Sequence, residues 1–288
     1  MAGNVALAAT TENALRVRDF VGMPEVPVTP GCPRPLVRPA LHARHVHGGS
    51  GLGAASLPAT SSGPADGHAV DYLASATAAE PGEITLIAIG PLTNIALALR
   101  RHPQLVSQVG NFVLMGGSAG RGNTTPAAEF NMVADPEAAA IVFGAGWPVT
   151  MIGLDVTLQA PVTAAVRDRM RGLGRLGDDL LLPILSGYRR SSRRPGPEPA
   201  DGLAVHDVCA VAQVAAPELI TCVPARVEVE TAGRWTAGMT VIDFAAAPDD
   251  CNAQVAVAID AEGFWDLVLD AYARVAAQMG TATGRVPG

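Results

Sequence analysis

Two short segments of this 288-residue sequence carry side chains that can bind hydroxyl groups or move protons. Glu129 and Asn131 flank Phe130 in PAAEFNMVADPEAA, and His206 stands beside Asp207 in LAVHDVCAV. A carboxylate and a carboxamide supply the acceptors and donors that hydroxyl groups need. A histidine next to an aspartate can supply a proton donor and a metal-binding carboxylate. On spacing alone, a purely structural role at or before the start of a helix is favoured for each pair.

The glycine-rich loops of the sequence do not indicate a phosphate-binding site. The segment GGSGLG departs from the G-x-G-x-x-G spacing, and the sequence contains no G-x-x-x-x-G-K-[ST] motif. A neutral polyol or a nucleoside is therefore the favoured class of ligand for the two polar segments.

Composition favours one large folded domain. The chain is 49% hydrophobic and 16% charged, which is enough apolar material for a large core. No linker or internal repeat divides the sequence, so we predict a single domain over residues 1–288. The net charge is −7, and all 20 basic residues are arginines, scattered except for a run at 188–196. Nucleic acid is not an expected partner without a basic stripe, and the run is predicted to be a solvated loop or helix end.

Cysteine usage and hydropathy favour a soluble protein of the cytoplasm. The four cysteines are far apart and form no C-x-x-C pair, so neither a zinc site nor a disulfide framework is expected. The first residues, MAGNVALAATTENA, have no basic segment before their short apolar run. No stretch approaches the roughly 20 apolar residues of a membrane span, so we expect no membrane partner.

Helix-like and strand-like segments alternate through the first half of the chain. The predicted helices begin at Thr10 or Thr11, at residue 67, at Thr93 and at Asp135, with the threonines and the aspartate as caps. A loop, HARHVHGGSGLG, precedes the second of these helices. The predicted strands are EVPV, EITLIAI, NFVLMGG and PVTMIGL.

The second half of the chain does not continue this alternation of helices and strands. Helical stretches are predicted at about 161–192, 206–216 and 261–279, and three strands are predicted at ARVEVET, MTVIDF and QVAVAID. Together the elements predict an α/β fold with an open, mainly parallel mixed sheet flanked by helices. Ligands of such folds bind beyond the carboxyl ends of the strands. The loop that carries Glu129 and Asn131 is expected there, and if EFN is extended, Phe130 faces the opposite side.

Several motifs, in their order and spacing, resemble the inosine-uridine preferring nucleoside hydrolases. The motifs are GNVALAATTENA, HVHGGSGLG, AIGPLTNIALALRRHP, VLMGGS, GNTTPAAEFNMVADPEAA and AVHD, and they cover nearly the whole chain. The resemblance implies hydrolysis of the N-glycosidic bond of purine or pyrimidine ribonucleosides to ribose and a free base. It also implies a tightly held Ca²⁺ ion and a homodimer or homotetramer.

The resemblance also implies how the sugar is held. Asn4, Glu129 and Asn131 match positions that bind the ribose hydroxyls, and Met115 and Asn123 match positions near the 5′-hydroxyl. Breaking the glycosidic bond builds positive charge on the sugar ring. Carboxylates and oriented hydroxyl contacts therefore stabilise the transition state more than the ground state.

The remaining matched positions concern the pocket wall, the leaving base and the metal. Phe130 matches an aromatic residue beside the sugar, and His47 lies in the loop that borders the pocket. His206 matches a histidine that protonates the leaving base, a step that contributes on the order of 10²–10⁴ in rate. Asp207 and the backbone carbonyl of Ile89 match ligands of calcium, which takes roughly six to eight oxygen atoms.

One motif of the family has no counterpart in this sequence. The family begins with a strand that ends in D-x-D-x-G-x-D-D and supplies further calcium ligands and the general base, whereas MAGNV corresponds to its second strand. We therefore expect the first strand-helix unit to be missing and this polypeptide to be impaired. Three explanations compete, namely an internal start within a longer active hydrolase, an inactive nucleoside-binding or structural relative, and an unrelated α/β protein. The retained Glu129, Asn131, His206 and Asp207 favour the first of these.

Overall fold

The computed structural model describes residues 3–191 and 202–282. Its α-helices are α1 Leu7–Phe20, α2 Arg44–His47, α3 Ala69–Ala79, α4 Thr93–Arg101, α5 Leu105–Gln108, α6 Phe130–Ala134, α7 Pro136–Phe143, α8 Leu154–Thr157, α9 Ala164–Arg171, α10 Leu182–Ser191, α11 Asp207–Ala215 and α12 Ala261–Ala282. A π-helical segment, Leu176–Leu181, leads into α10, and short 3-10 turns occur at Pro217–Leu219 and Pro248–Asp250. The arginine-rich run at 188–196 begins in the last turn of α10, and the rest of that run lies outside the described residues.

Strands of the described chain form one six-stranded sheet and one small pair. The strands are β1 Thr85–Ala88, β2 Asn111–Met115, β3 Val149–Ile152, β4 Pro161–Val162, β5 Leu203–Ala204, β6 Ile220–Val229, β7 Thr240–Asp243 and β8 Ala253–Ile259. The large sheet has the order β1-β2-β3-β8-β6-β7. Its first four strands run parallel, and β6 runs antiparallel to both β8 and β7. The predicted open, mainly parallel mixed sheet is therefore confirmed.

Helices cover both faces of the sheet because its central strands are apolar on both sides. In β2, Phe112 and Leu114 pack with residues of α3, α4 and α7, whereas Val113 and Met115 pack with residues of α8, α11 and α12. Successive side chains of a strand point to opposite faces, so a strand buried on both faces reads as a continuous apolar run. The parallel pairing of β1, β2 and β3 places their carboxyl ends along one edge of the sheet.

Helix capping follows the sequence at one predicted position and departs from it at two others. Asp135 caps α7 as predicted, because its Oδ1 accepts a hydrogen bond from the Ala138 amide at 3.1 Å. Thr93 does not cap α4, since its hydroxyl donates instead to Oδ2 of Asp135 at 2.6 Å. The helix α1 begins at Leu7 and not at Thr10 or Thr11. The Thr10 hydroxyl donates back to the Leu7 carbonyl within that helix at 3.0 Å.

Two further local predictions are wrong. The segment EVPV at 25–28 is irregular and forms no strand, and its backbone follows a turn after α1. The predicted loop around His47 contains the one-turn helix α2. Both errors concern segments of about four residues, for which a periodic pattern carries little information. Within residues 3–191 and 202–282, no helix combines the length and the apolar character needed to cross a bilayer.

Candidate active site

The polar segments of the sequence meet beyond the carboxyl ends of the parallel strands, where ligands of such sheets bind. The chain leaving β2 runs through Gly116 and Gly117 into the loop that ends at Glu129, and the chain leaving β3 turns at Gly153 into α8. The amide of Leu154 donates to the Gly117 carbonyl at 2.9 Å and joins the two loops. Elements that are distant in sequence thereby frame one polar site, which contains Glu129, Asn131, His206 and Asp207.

Glu129 is held rigidly by backbone amides. It is the residue before α6 and is only 3% exposed, and its Oε2 accepts hydrogen bonds from the amides of Gly117, Asn131 and Met132 at 3.1, 2.8 and 3.3 Å. Three donors converge on one carboxylate oxygen, so that oxygen is fully used within the protein. Among the residues that the structure describes, the second oxygen, Oε1, accepts no hydrogen bond and is available for a ligand.

The electrostatics of Glu129 are unusual for a carboxylate. Burial raises its pKa to about 7, although the amides of Asn131, Gly117 and Met132 lower it, and the negative charge of Asp207 adds to the increase. A buried carboxylate that feels a second carboxylate favours its protonated form. Glu129 is therefore poised to titrate near neutral pH, and it lies within electrostatic range of Asp207.

Asn131 and Met115 are in direct contact. The Asn131 amide nitrogen donates to the Met115 carbonyl at 3.0 Å and lies 3.7 Å from its sulfur. That bond orients the carboxamide. Asn123 stands at the other end of the loop, and its Oδ1 accepts from the Phe130 amide at 3.0 Å. The structure therefore brings Met115, Asn123 and Asn131 together around Glu129.

Phe130 lies in a helix and not in an extended EFN segment. It is the first residue of α6, and its ring packs against Ala43, Val46 and Ala134. The condition for strand-like alternation, an extended EFN segment, is therefore not met, because the Glu129 carboxylate caps a helix that begins at Phe130.

Asn4 and His47 approach the same corner of the molecule through Ala43. The Ala43 amide donates to the Asn4 carbonyl at 2.8 Å, and the His47 amide donates to the Ala43 carbonyl at 3.0 Å. Because Ala43 also touches Phe130, the segments of Asn4 and His47 border the polar site. Burial lowers the pKa of His47, and the charge of His45 lowers it further.

His206 lies directly before α11, and its ring is fixed by a hydroxyl group. Its Nδ1 is 2.7 Å from the Oγ1 of Thr157, a residue of α8 that is fully buried. Burial lowers the pKa of His206 to about 4, and the charge of His47 lowers it further. A charge on His47 that affects the pKa of His206 has to lie close to it, so His47 and His206 belong to one site.

Asp207 is accessible to solvent yet surrounded by protein. Its side chain is exposed, but burial raises its pKa to about 6. The exposure and the raised pKa are compatible when the carboxylate lies in a narrow recess. There, many protein atoms displace water while a path to solvent stays open. The reduced solvation of this carboxylate is not offset by a hydrogen bond, because among the described residues no group donates one to it. An unpaired, poorly solvated carboxylate favours a cation.

The described residues alone do not fit a tightly bound calcium ion. Asp207 offers one carboxylate, and Ile89, the exposed residue after β1, offers a backbone carbonyl at the same edge of the sheet. Over residues 3–191 and 202–282, no three histidine, cysteine, aspartate or glutamate side chains come together as a metal-holding group. Since calcium takes roughly six to eight oxygen ligands, these two groups hold it only if other ligands complete the shell.

Sequence reasoning missed Gly117, Asp155 and Thr157. Asp155 ties the loop after β2 to α8, since its carboxylate accepts from the Ala119 amide at 2.6 Å and from the Ser118 hydroxyl at 3.3 Å. Thr157 binds His206, as described above. A usable signal was present, because the polar residues in GLDVT follow directly after the predicted strand PVTMIGL, at the ligand-binding edge of the sheet.

A separate cavity lies away from these residues. It has a volume of about 270 Å³ and is lined by Arg16, Phe20, Arg175, Met279 and their neighbours, between α1 and α12. Its two guanidinium groups are already paired, with Glu12 at 2.6 Å and with Asp179 at 3.4 Å. The chemistry-bearing residues are elsewhere, so we assign the candidate active site to the edge of the sheet.

Comparison with known proteins identifies the family. The family model of inosine-uridine preferring nucleoside hydrolases matches residues 1–266. The chain belongs to this family. Membership of the nucleoside hydrolases explains why the motifs that resembled the family lie at one edge of the sheet, although they are spread over more than 200 residues of sequence.

Relatives and solved structures support the same assignment. The chain is 44% identical over 276 residues to the inosine-uridine preferring nucleoside hydrolase of Leishmania major, covering 95% of this chain and 87% of the relative. It is 46% identical over 267 residues to the non-specific ribonucleoside hydrolase RihC of Klebsiella pneumoniae, covering 92% and 84%. The purine-preferring ribonucleoside hydrolase of Gardnerella vaginalis superimposes with a TM-score of 0.86 at 32% identity, covering 95% of this chain and 88% of that one.

Proposed function

We propose that this nucleoside hydrolase cleaves the N-glycosidic bond of ribonucleosides to give ribose and a free base. One observation carries the proposal. A rigidly held, buried carboxylate, Glu129, shares one site with Asp207, whose carboxylate has no hydrogen-bond donor in the described part of the chain, and with an oriented histidine, His206. Such a site has one side that suits sugar hydroxyls and cationic charge and another that suits a leaving base.

The sugar side of the proposed site consists of Glu129, Asn131, Asn123 and Asn4. Oε1 of Glu129 and the carboxamide oxygen of Asn131 accept hydrogen bonds from the ribose hydroxyls. As the bond from C1′ to the base breaks, positive charge grows on the ring, and a nearby carboxylate stabilises that charge. The three backbone amides on Oε2 keep Glu129 in place, so little reorganisation is needed during the reaction.

The base side of the proposed site consists of His206, with His47 nearby. Both electrons of the broken bond leave with the base, which then needs a proton, while a water oxygen adds to C1′ and loses one. With its pKa lowered to about 4, His206 is neutral at pH 7 and offers one N–H as a hydrogen-bond donor. Negative charge that develops on the base raises the pKa of His206, so the ring can take up a second proton from solvent and pass one proton to the base.

We propose Ca²⁺ as the cofactor, bound by Asp207 and the Ile89 carbonyl together with additional carboxylates. If bound there, calcium would hold ribose hydroxyls and a water molecule and would lower the pKa of that water. The 288-residue polypeptide is then expected to bind calcium weakly and to react slowly unless a segment with the D-x-D-x-G-x-D-D motif completes the shell. The second candidate function, an inactive nucleoside-binding protein, rests on the same incomplete ligand set.

We further propose one domain over residues 1–288, assembled as a homodimer or homotetramer in the cytoplasm. The continuous six-stranded sheet, built from both halves of the chain, supports the single domain. All four cysteines lie in the described part of the chain and are unpaired, which supports a reducing compartment. Sedimentation analysis of the purified protein tests the assembly state.

The decisive experiment measures base release from inosine, uridine and cytidine, with calcium added. Two forms are compared, the 288-residue chain and the same chain preceded by a strand that ends in D-x-D-x-G-x-D-D. We expect the longer form to hydrolyse at least one nucleoside, and the shorter form to be slower by a factor of 10² or more, on the order of the contribution of a positioned acid-base group. Equal rates contradict the impairment. Nucleoside binding without hydrolysis in both forms supports the second candidate function.

A further inference from the structure

Thr157 is a fully buried polar residue to which neither the sequence motifs nor the proposed reaction assigns a role. It ends α8, the one-turn helix that follows β3, and its Oγ1 lies 2.7 Å from Nδ1 of His206. The two residues are 49 positions apart in sequence. A hydroxyl at this place is costly to bury unless it is hydrogen-bonded, so the contact with His206 is its stabilising interaction.

The direction of this hydrogen bond follows from the partners that are available. Among the described residues, Nδ1 of His206 is the only hydrogen-bond partner of the Thr157 hydroxyl. A threonine in a helix commonly donates to a carbonyl three or four residues earlier, as Thr77 does to Leu73 at 2.9 Å. With no such acceptor in use, the hydroxyl proton of Thr157 points to Nδ1. The neutral ring then carries its own proton on Nε2.

Thr157 is itself fixed with respect to Glu129. The amide of Leu154, at the start of α8, donates to the Gly117 carbonyl at 2.9 Å, and the amide of Gly117 donates to Oε2 of Glu129 at 3.1 Å. At the far end of α8, Gln159 donates to the Val257 carbonyl of β8 at 2.9 Å. Three hydrogen bonds, joined through the backbone of Gly117 and of α8, therefore connect the carboxylate on the sugar side with the ring on the base side.

We propose that Thr157 is a positioning residue, which holds His206 in the tautomer protonated on Nε2 and fixes the distance of its ring from Glu129. The proposal rests on the proposed function for the role of His206, but the tautomer itself does not depend on any activity. Nε2 is the ring nitrogen opposite the Thr157 contact. The Thr157 hydroxyl thus directs the single N–H donor of the neutral imidazole away from α8, toward the position of a leaving base.

The tautomer is tested by ¹⁵N NMR of the histidine rings in the 288-residue chain at a pH where His206 is neutral. His206→Asn identifies the His206 signals, and Thr157→Val, Thr157→Ala and Thr157→Ser are compared with the unchanged protein. We expect an unprotonated, hydrogen-bonded Nδ1 in the unchanged protein and in Thr157→Ser. Thr157→Val and Thr157→Ala should give signals averaged between the two tautomers. A protonated Nδ1 in the unchanged protein overturns the proposal, whatever the activity of the chain.

The positioning role is tested by the dependence of the rate on the leaving group, in whichever form of the chain hydrolyses nucleosides. We expect Thr157→Val to lower kcat for inosine by about 10- to 100-fold with little change in KM, since misplacing a reacting group by about 1 Å costs rates of this size. A riboside with a nitrophenolate leaving group, which departs without a proton, should lose less than about threefold. Thr157→Ser should restore inosine hydrolysis, and Thr77→Val serves as a control for a buried threonine outside the site. Equal losses for both substrates, or no rescue by serine, overturn the positioning role.

Discussion

The backbone amide of Gly117 donates a hydrogen bond to Oε2 of Glu129 at 3.1 Å and so ties the carboxylate to the end of β2. Gly117 has a positive φ of 76°, a conformation that glycine adopts without steric cost. Its carbonyl accepts from the Leu154 amide on the other side. One residue thus sets the positions of the carboxylate and of the helix that carries Thr157.

Replacing Gly117 by alanine should disrupt this connection. A Cβ at Gly117 would lie 2.6 Å from the Met151 side chain and 2.8 Å from that of Thr240, in addition to the strain of the positive φ. We expect a loss of roughly 2–4 kcal/mol in the free energy of unfolding, measured by urea denaturation. Gly120→Ala is the matched control, since a Cβ there meets its nearest neighbour at 3.4 Å. Comparable destabilisation by both variants would contradict this account of Gly117.

Glu129→Gln should change how stability depends on pH. Because the pKa of Glu129 is raised from 4.5 to about 7 in the folded protein, the folded state retains a proton between these values that the unfolded state has lost. The free energy of unfolding therefore falls as pH rises through this window, by roughly 3 kcal/mol from this group. The glutamine variant has no such group, so its stability relative to the original protein should increase between pH 4.5 and pH 7.

Urea denaturation of both proteins across this pH range measures the difference. The exposed Glu262, at the start of α12, provides the control variant Glu262→Gln, which should follow the pH dependence of the original protein. A constant difference between Glu129→Gln and the original protein would mean that Glu129 is ionised throughout. We also expect Glu129→Gln to abolish nucleoside hydrolysis, because its neutral side chain cannot stabilise a positively charged sugar ring.

Asp207→Asn should show two separate effects of this carboxylate, namely the destabilisation by its poorly solvated charge and its proposed binding of a cation. Burial raises the pKa of Asp207 to about 6, so at pH 8 and without calcium the folded state carries an unfavourable charge close to Glu129. The asparagine variant should then have the higher Tm in calcium-free buffer, and it should gain less from added calcium. Asp270→Asn, at an exposed position of α12, should behave as the original protein. If calcium raises the Tm of Asp207→Asn as much as that of the original protein, Asp207 is not a ligand.

Thr93→Val should show how much the hydroxyl contact with Asp135 contributes to the fold. Oδ2 of the fully buried Asp135 accepts from the Thr93 hydroxyl at 2.6 Å and from the Leu36 amide at 2.9 Å, and so links three separate segments. Removing one donor to a buried carboxylate costs about 1–3 kcal/mol. Thr77→Val removes an equally buried hydroxyl that bonds only within its own helix, and should cost about 1 kcal/mol less. Equal losses in thermal unfolding would mean that the contact adds nothing specific.

Local patterns predicted the elements of the fold well. Apolar runs marked every strand of the large sheet, and Asp135 followed by Pro136 marked the start of α7. These signals lie within a few residues of one another, so they depend little on contacts with distant parts of the chain. One wrong prediction, the cap at Thr93, has the opposite property. Thr93 has a good capping side chain, yet its hydroxyl is bound by Asp135, which is 42 residues away.

The sequence by itself determined the alternation of strands and helices, the candidate residues Glu129, Asn131, His206 and Asp207, and the family to which they point. Only the tertiary structure decided that Glu129 caps α6 and bonds to Gly117, that Asp207 lies within electrostatic range of it, and that Thr157 holds the ring of His206. The reason is physical. Periodicity and capping depend on neighbours within a turn or two, whereas these contacts depend on the order of strands in the sheet and on the paths of the loops that leave it.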